Sequence, residues 1–183
     1  SEYLEGMIVP RTERSAFIEV HNTLNWPRTD VVVLASEMSK DFQGVLTSDG
    51  RLVDAQRLST GELAFRAESI PALGSRRFRL TSRSHRRVPS AKAEGLTISN
   101  EFLRVKIDEK SGAISSLVRV RDGFEFVDVS KEGLNQYLYV PGRDPVNAKE
   151  LKNVSVRIRE QGGLVVSIDV LGDAPGCRSF VST

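Results

Sequence analysis

Apolar and polar side chains alternate in short runs along almost the whole of this 183-residue chain, and no ten consecutive residues carry an i, i+3, i+4, i+7 apolar stripe. A period of two puts one face of a segment in a core and the other in water, which is the signature of a strand. The clearest cases are Glu62-Leu63-Ala64-Phe65-Arg66-Ala67 and Arg77-Phe78-Arg79-Leu80. Runs bounded by turn residues cover Ala16–Val20, Asp30–Ser36, Gln43–Ser48, Arg51–Leu58, Glu62–Glu68 and Ser75–Ser82. They continue over Leu96–Ser99, Phe102–Asp108, Ala113–Val120, Phe124–Val129, Gln136–Val140, Asn153–Arg159 and Leu164–Leu171. Asp49-Gly50 supplies a hairpin signal, because both residues tolerate the positive φ of a tight primed turn. Only Val146–Lys152 has room for one or two helical turns. The expected fold class is all-β.

The run from Arg83 to Ala93 is polar, contains Pro89 and lacks alternation, so it reads as a linker. It divides the chain into two expected β units, residues 1–87 and 88–183. The first holds 13 basic and 11 acidic side chains and the second 13 of each, so neither is a charged tail. A net charge of +2 gives no global field of the kind a dedicated nucleic-acid binder carries. The longest apolar run is the five residues Val31–Ala35, where a spanning helix needs about 20. No secretion signal opens the chain and the single cysteine, Cys177, closes no internal disulfide, so a cytoplasmic, soluble protein is expected.

Most catalytic signatures are missing: no G-x-S-x-G, G-x-x-x-x-G-K-[ST], G-x-G-x-x-G or H-E-x-x-H occurs. His21 and His85 have no Cys, His or carboxylate at ligand spacing, so no metal site is expected. Arg76, Arg77, Arg79, Arg83, Arg86 and Arg87 form a basic run with no acid inside it, suited to phosphates or acidic sugars, or equally to the outward face of a strand. Trp26 reads as a sandwich plug in preference to a platform on which a sugar face stacks. Asn135, Gln136 and Tyr137 place two amides and a phenol at one loop-to-strand junction, a set that matches sugar hydroxyls but also fits a bulge or a buried amide.

Three stretches then acquire a common meaning. Val20–Leu34 contains N-p-L-x-W-x-R (Asn22 to Arg28), Leu63–Phe78 contains I-P-x-L-G (Ile70 to Gly74), and Ile98–Leu117 contains N-x-x-x-x-V-x-x-D-x-x-x-G-x-I-x-S-L (Asn100 to Leu117). In order and approximate spacing they resemble the C-terminal β region of glycoside hydrolase family 38, the α-mannosidases. The resemblance spans nearly all of the chain. It implies a small β-sandwich at 1–87 followed by the first part of a larger galactose-mutarotase-like sandwich at 88–183, which would continue beyond Thr183.

Members of that family are retaining, zinc-dependent enzymes whose nucleophilic Asp and metal ligands lie upstream, in H-x-D and H-H-D motifs absent from these residues. The chain thus looks like a non-catalytic portion, inactive alone, with no cofactor of its own, zinc in the parent, and the parent's N-terminal catalytic domain and mannosides as partners. The resemblance also implies that Tyr137 reaches towards the bound mannose with its hydroxyl at an uncovered surface. Asn135 and Gln136 depart from the small residues that precede this tyrosine in part of the family. The rivals are a stand-alone carbohydrate-binding module and a polyanion binder working through Arg76–Arg87; neither nucleic acid nor membrane is the expected partner. If the second sandwich is incomplete, Leu164–Leu171 is the strand expected at an edge, with self-association through it.

Overall fold

The computed structural model describes residues 7–9, 16–84, 90–128, 130 and 132–183. The chain is all-β and antiparallel, and divides into two compact units, Ser1–Val88 and Pro89–Thr183. No helix among the described residues is long and apolar enough to cross a membrane.

In the first unit the strands are β1 (Met7–Val9), β2 (Phe17–His21), β3 (Arg28–Leu34), β4 (Gly44–Thr47), β5 (Leu52–Val53), β6 (Ala55–Arg57), β7 (Leu63–Ile70) and β8 (Ser75–Thr81). One sheet runs β1-β2-β8-β4-β5 and the other β3-β7-β6. The alternation in β8 is realised as read, with Phe78 and Leu80 buried and Arg77 and Arg79 exposed. Phe78 meets Phe65 of the other sheet edge to face, 5.1 Å between centroids, so the ring pair joins the two layers.

Arg51–Leu58, read as one strand, is two. Leu52–Val53 pairs with β4 across the Asp49-Gly50 hairpin, whereas Ala55–Arg57 pairs with β7 in the opposite sheet, so the chain changes layers at Asp54. Val53 and Ala55, on either side of the crossing, pack against the same core, so the run reads as one strand. One element was not expected, the four-residue helix α1 (Ser36–Ser39). It is held from outside: the Arg57 guanidinium donates to Ser39 Oγ (2.8 Å), Ser39 O (2.7 Å), Gly61 O (2.9 Å) and Phe42 O.

A corner at one end of this unit joins two of the three stretches that carry the family resemblance. The Asn22 side chain is 2 % exposed, donates to Trp26 O (2.7 Å), Pro71 O (3.1 Å) and Ile70 O (3.3 Å), and accepts from Leu24 N at 3.0 Å. Main-chain bonds Leu73 N to Leu24 O (2.9 Å) and Asn22 N to Gly74 O (2.8 Å) complete the seam. Gly74 N also closes on Pro71 O, which makes Pro71–Gly74 a β-turn with Leu73 third, at φ 49°. That seat normally goes to Gly or Asn; a leucine there costs roughly 1–2 kcal/mol.

The second unit contains β9 (Ala91–Glu94), β10 (Thr97–Asn100), β11 (Leu103–Ile107), β12 (Ile114–Arg119), β13 (Phe124–Glu125), β14 (Leu138–Tyr139), β15 (Lys149–Glu150), β16 (Lys152–Gln161), β17 (Val166–Asp173) and β18 (Val181–Ser182). The first five form a meander in chain order, β16-β17-β18 a second sheet and β14-β15 a small ribbon. Ile107, Leu151, Ile168, Val170 and Ala174 form its core, with Val105, Val154 and Tyr137 packed against it. The third resemblance stretch is held by its own turn chemistry. Asn100 Oδ1 accepts from Phe102 N and Leu103 N (2.9 and 2.8 Å), Asp108 Oδ1 from Ser111 N (2.7 Å), and Gly112 turns at φ 70° against Val170.

Three expectations need correction here. The linker ends earlier than read: residues 85–89 lie outside the described residues, but Ala91–Glu94 is strand, paired with β10 around Gly95 (φ 57°). Alanines carry too little apolar signal to show the alternation that buries Ala93. The Leu164–Leu171 region is not an edge, because β17 lies between β16 and β18, the latter supplied by Val181–Ser182 folding back on Val170 and Leu171. Val146–Lys152 holds only part of a 3₁₀ turn (Pro145–Asn147), started by Asp144 Oδ1 accepting from Val146 N at 3.0 Å, before β15 begins.

Candidate functional site

Leu134 bridges Ile114 through two main-chain bonds, Ile114 N to Leu134 O (2.8 Å) and Leu134 N to Ile114 O (3.0 Å), and so hangs the Asn135–Tyr137 junction on β12. Asn135 turns the chain at φ 57°, a conformation asparagine tolerates better than most residues, and its amide reaches Ser182 Oγ at 3.3 Å. Gln136 Nε2 donates to Glu150 Oε1 at 3.1 Å.

Tyr137 turns the other way. Its ring meets Phe180 edge to face at 5.0 Å beside the core, and its hydroxyl donates to Pro175 O at 2.5 Å and lies 3.4 Å from Cys177 Sγ. The contact with the Cys177 thiol, then burial, holds the phenol above its ordinary range. The hydroxyl expected at an uncovered surface is thus engaged within the unit. The cause is a segment 38 residues downstream that places a carbonyl over it.

Beside the junction lies an open groove of about 1020 Å³ whose lining includes Lys106, Asp108, Ser116, Glu125, Gln136 and Glu150. Two of its acids do structural work. Asp108 sits below the usual carboxylate range chiefly because the Ser111 amide bonds it, and the Ser111 hydroxyl adds a bond of 2.8 Å. Glu125 is lowered first by the Ser116 hydroxyl (2.5 Å), then by the amides of Leu117 (2.8 Å) and Val127 (3.0 Å). A glycosidase acid needs a pKa raised toward neutrality. Asp108 and Glu125 are shifted the opposite way, so they offer acceptor oxygens and no proton. The groove thus presents carboxylate oxygens beside the Gln136 amide and the Lys106 side chain.

Sequence reading named Gln136 but missed its groove. The usable signal was Asp108 followed three residues on by Ser111, which marks a tight turn rather than a ligand; that Glu125 faces β12 is set by strand pairing and has no local signal. Among the described residues no three His, Cys, Asp or Glu side chains converge, so the donor set does not fit a zinc ion. Trp26, read as a plug, is 56 % exposed, because Asn22 holds its carbonyl at the corner while Phe65 and Phe78 fill the core. Of the arginine run, Arg77, Arg79 and Arg83 are exposed and Arg76 is half-buried; Arg86 and Arg87 lie outside the described residues, as does His85.

No protein-family model matches this chain, and no curated protein does. Among solved structures, it is similar to a protein in the glycosyl hydrolase family 38 from Enterococcus faecalis, at 13% identity and a TM-score of 0.46, over 94% of this chain and 23% of that one. It is also similar to an alpha-mannosidase from Enterococcus faecalis V583, at 12% identity and a TM-score of 0.47, over 93% of this chain and 22% of that one. The chain spans less than a quarter of the length of either.

Proposed function

We propose that this chain is a non-catalytic β portion of a retaining, zinc-dependent α-mannosidase, serving to support the catalytic domain and to contribute to carbohydrate binding. The observation that carries the reading is the ordered set of three sequence stretches, together with the work their signature residues do. Asn22, the Pro71–Gly74 turn, Asn100, Asp108 and Gly112 each hold a corner or hairpin. Residues of that kind persist when a fold is kept and its sequence drifts, because few side chains replace them.

In this reading the reaction, hydrolysis of terminal α-mannosides through a covalent glycosyl-enzyme intermediate, belongs to the domain upstream, and so does the zinc. This chain's share is binding. Gln136 and Asn135 are the amides offered to sugar hydroxyls, and Tyr137 holds their junction rigid through Phe180 and Pro175 O. The coding sequence upstream of residue 1 provides the test. It is expected to encode an H-x-D motif and, further on, H-H-D; an upstream reading frame of another composition would overturn the proposal.

A further inference from the structure

Strand β8 splits the basic run. Arg77 and Arg79 are exposed, whereas Arg76 shares a face with the buried Phe78 and Leu80 and is itself half-buried. Arg76 lines a pocket of about 210 Å³ whose wall includes the core residue Phe78 and Asp54, at which the chain crosses between sheets. Two more arginines line it, and each has a partner: Arg51 meets Asp49 at 2.8 Å and Arg66 meets Glu68 at 3.3 Å. Arg76 forms no ion pair among the described residues. A guanidinium withdrawn from water without a partner is costly, and its planar fork matches two oxygens of a carboxylate or a phosphate.

We propose that this pocket binds a small hydroxylated oxyanion, a single-ring sugar acid or sugar phosphate, with its charged group on Arg76. The volume sets the size: about 210 Å³ lies below the roughly 300–1,000 Å³ of sites for drug-sized ligands, so one ring fits and a polymer does not. The other charges set the hydroxyls. Asp54 and Glu68 line the same pocket, and a carboxylate accepts hydrogen bonds at several lone pairs but donates none. A bare anion on Arg76 would face both like charges, whereas hydroxyls on the same ligand donate to them. The site stands whether or not the chain belongs to an α-mannosidase.

Amide NMR spectra of the 183-residue chain, titrated with glucuronate, glucose-6-phosphate, glucose and acetate at low salt, test this. One of the two sugar anions is expected to shift the amides around Arg76 and Asp54 and to bind at least about tenfold more tightly than glucose or acetate, the size of one charge-assisted hydrogen bond. Which of the two binds tighter tells whether a carboxylate or a phosphate is held. Glucose binding as tightly removes the charge from recognition, acetate binding as tightly removes the hydroxyls, and either overturns the proposal. So does the absence of any shift at about 10 mM of both sugar anions, tenfold above a millimolar Kd. Arg76→Gln should weaken the anion at least about tenfold, while Arg79→Gln, on the exposed face of the same strand, should leave it unchanged. Equal losses in the two variants mean that the exposed run binds as a whole, and overturn the pocket. Should Arg76→Gln give no folded spectrum, Arg76→Lys decides: it keeps the charge and loses the fork, so it should bind several-fold more weakly, and unchanged binding overturns the assignment to the guanidinium.

Discussion

Removing the Asn22 side chain is the sharpest perturbation of the small sandwich. In Asn22→Ala four bonds vanish: one to a fully buried carbonyl, Ile70 O, and three in part-buried surroundings, to Trp26 O, Pro71 O and from Leu24 N. A buried carbonyl left dry costs about 1–3 kcal/mol, and each of the three bonds that water replaces about 0.5 kcal/mol, so the variant should lose about 2.5–4.5 kcal/mol. Asn22→Asp keeps the shape but turns a carboxylate oxygen onto three carbonyls. That environment disfavours the charge and raises the folded-state pKa above the unfolded one, so this variant is least destabilised at low pH and loses stability as pH rises through the folded value. Urea unfolding followed by circular dichroism, at several pH values, reads both. A loss below about 0.5 kcal/mol in Asn22→Ala, the size of an ordinary surface change, or a flat pH profile in Asn22→Asp, would refute the reasoning.

Two further predictions concern the second unit. Gly112→Ala forces a methyl to 2.4 Å from Val170 Cγ1 at φ 70° and should cost about 2–4 kcal/mol, part of it recovered by adding Val170→Ala; the same urea assay reads both variants, and a loss below about 1 kcal/mol contradicts the packing. Burial, the largest influence on Asp169, pushes its carboxyl up, but the Thr183 hydroxyl (2.8 Å), Arg157 (3.1 Å) and the charge of Arg159 outweigh it and hold it low. A lowered pKa stabilises above the unfolded value and ceases to do so as pH falls through the folded one, so wild type should lose stability below about pH 4 and Asp169→Asn should flatten that acid limb; an unchanged acid limb in urea unfolding would count against the network.

What could be read from the sequence followed the range of the forces. Arg77–Leu80 and the Asp49-Gly50 hairpin are governed by neighbours a few residues apart; the alternation and the hairpin are both found, although only Gly50 takes a positive φ (85°), so the turn is not the primed one expected. The four-residue helix Ser36–Ser39 is too short for a period and depends on an arginine 18 residues downstream of Ser39. The central position of β17 depends on Val181–Ser182 returning to it, and the engagement of the Tyr137 hydroxyl on Pro175. Those partners are set by tertiary packing, which alternation does not encode. At the candidate site, Asn135, Gln136 and Tyr137 were legible as a polar junction, but the direction in which each side chain turns was not.

Hydrolysis of an aryl α-mannoside, measured for the full-length polypeptide and for the 183-residue chain in parallel, tests the central claim most directly. Release of product by the full-length protein alone, abolished by a chelator and restored by zinc, is the predicted result. No hydrolysis by the full-length protein, or hydrolysis by the 183-residue chain on its own, would contradict it.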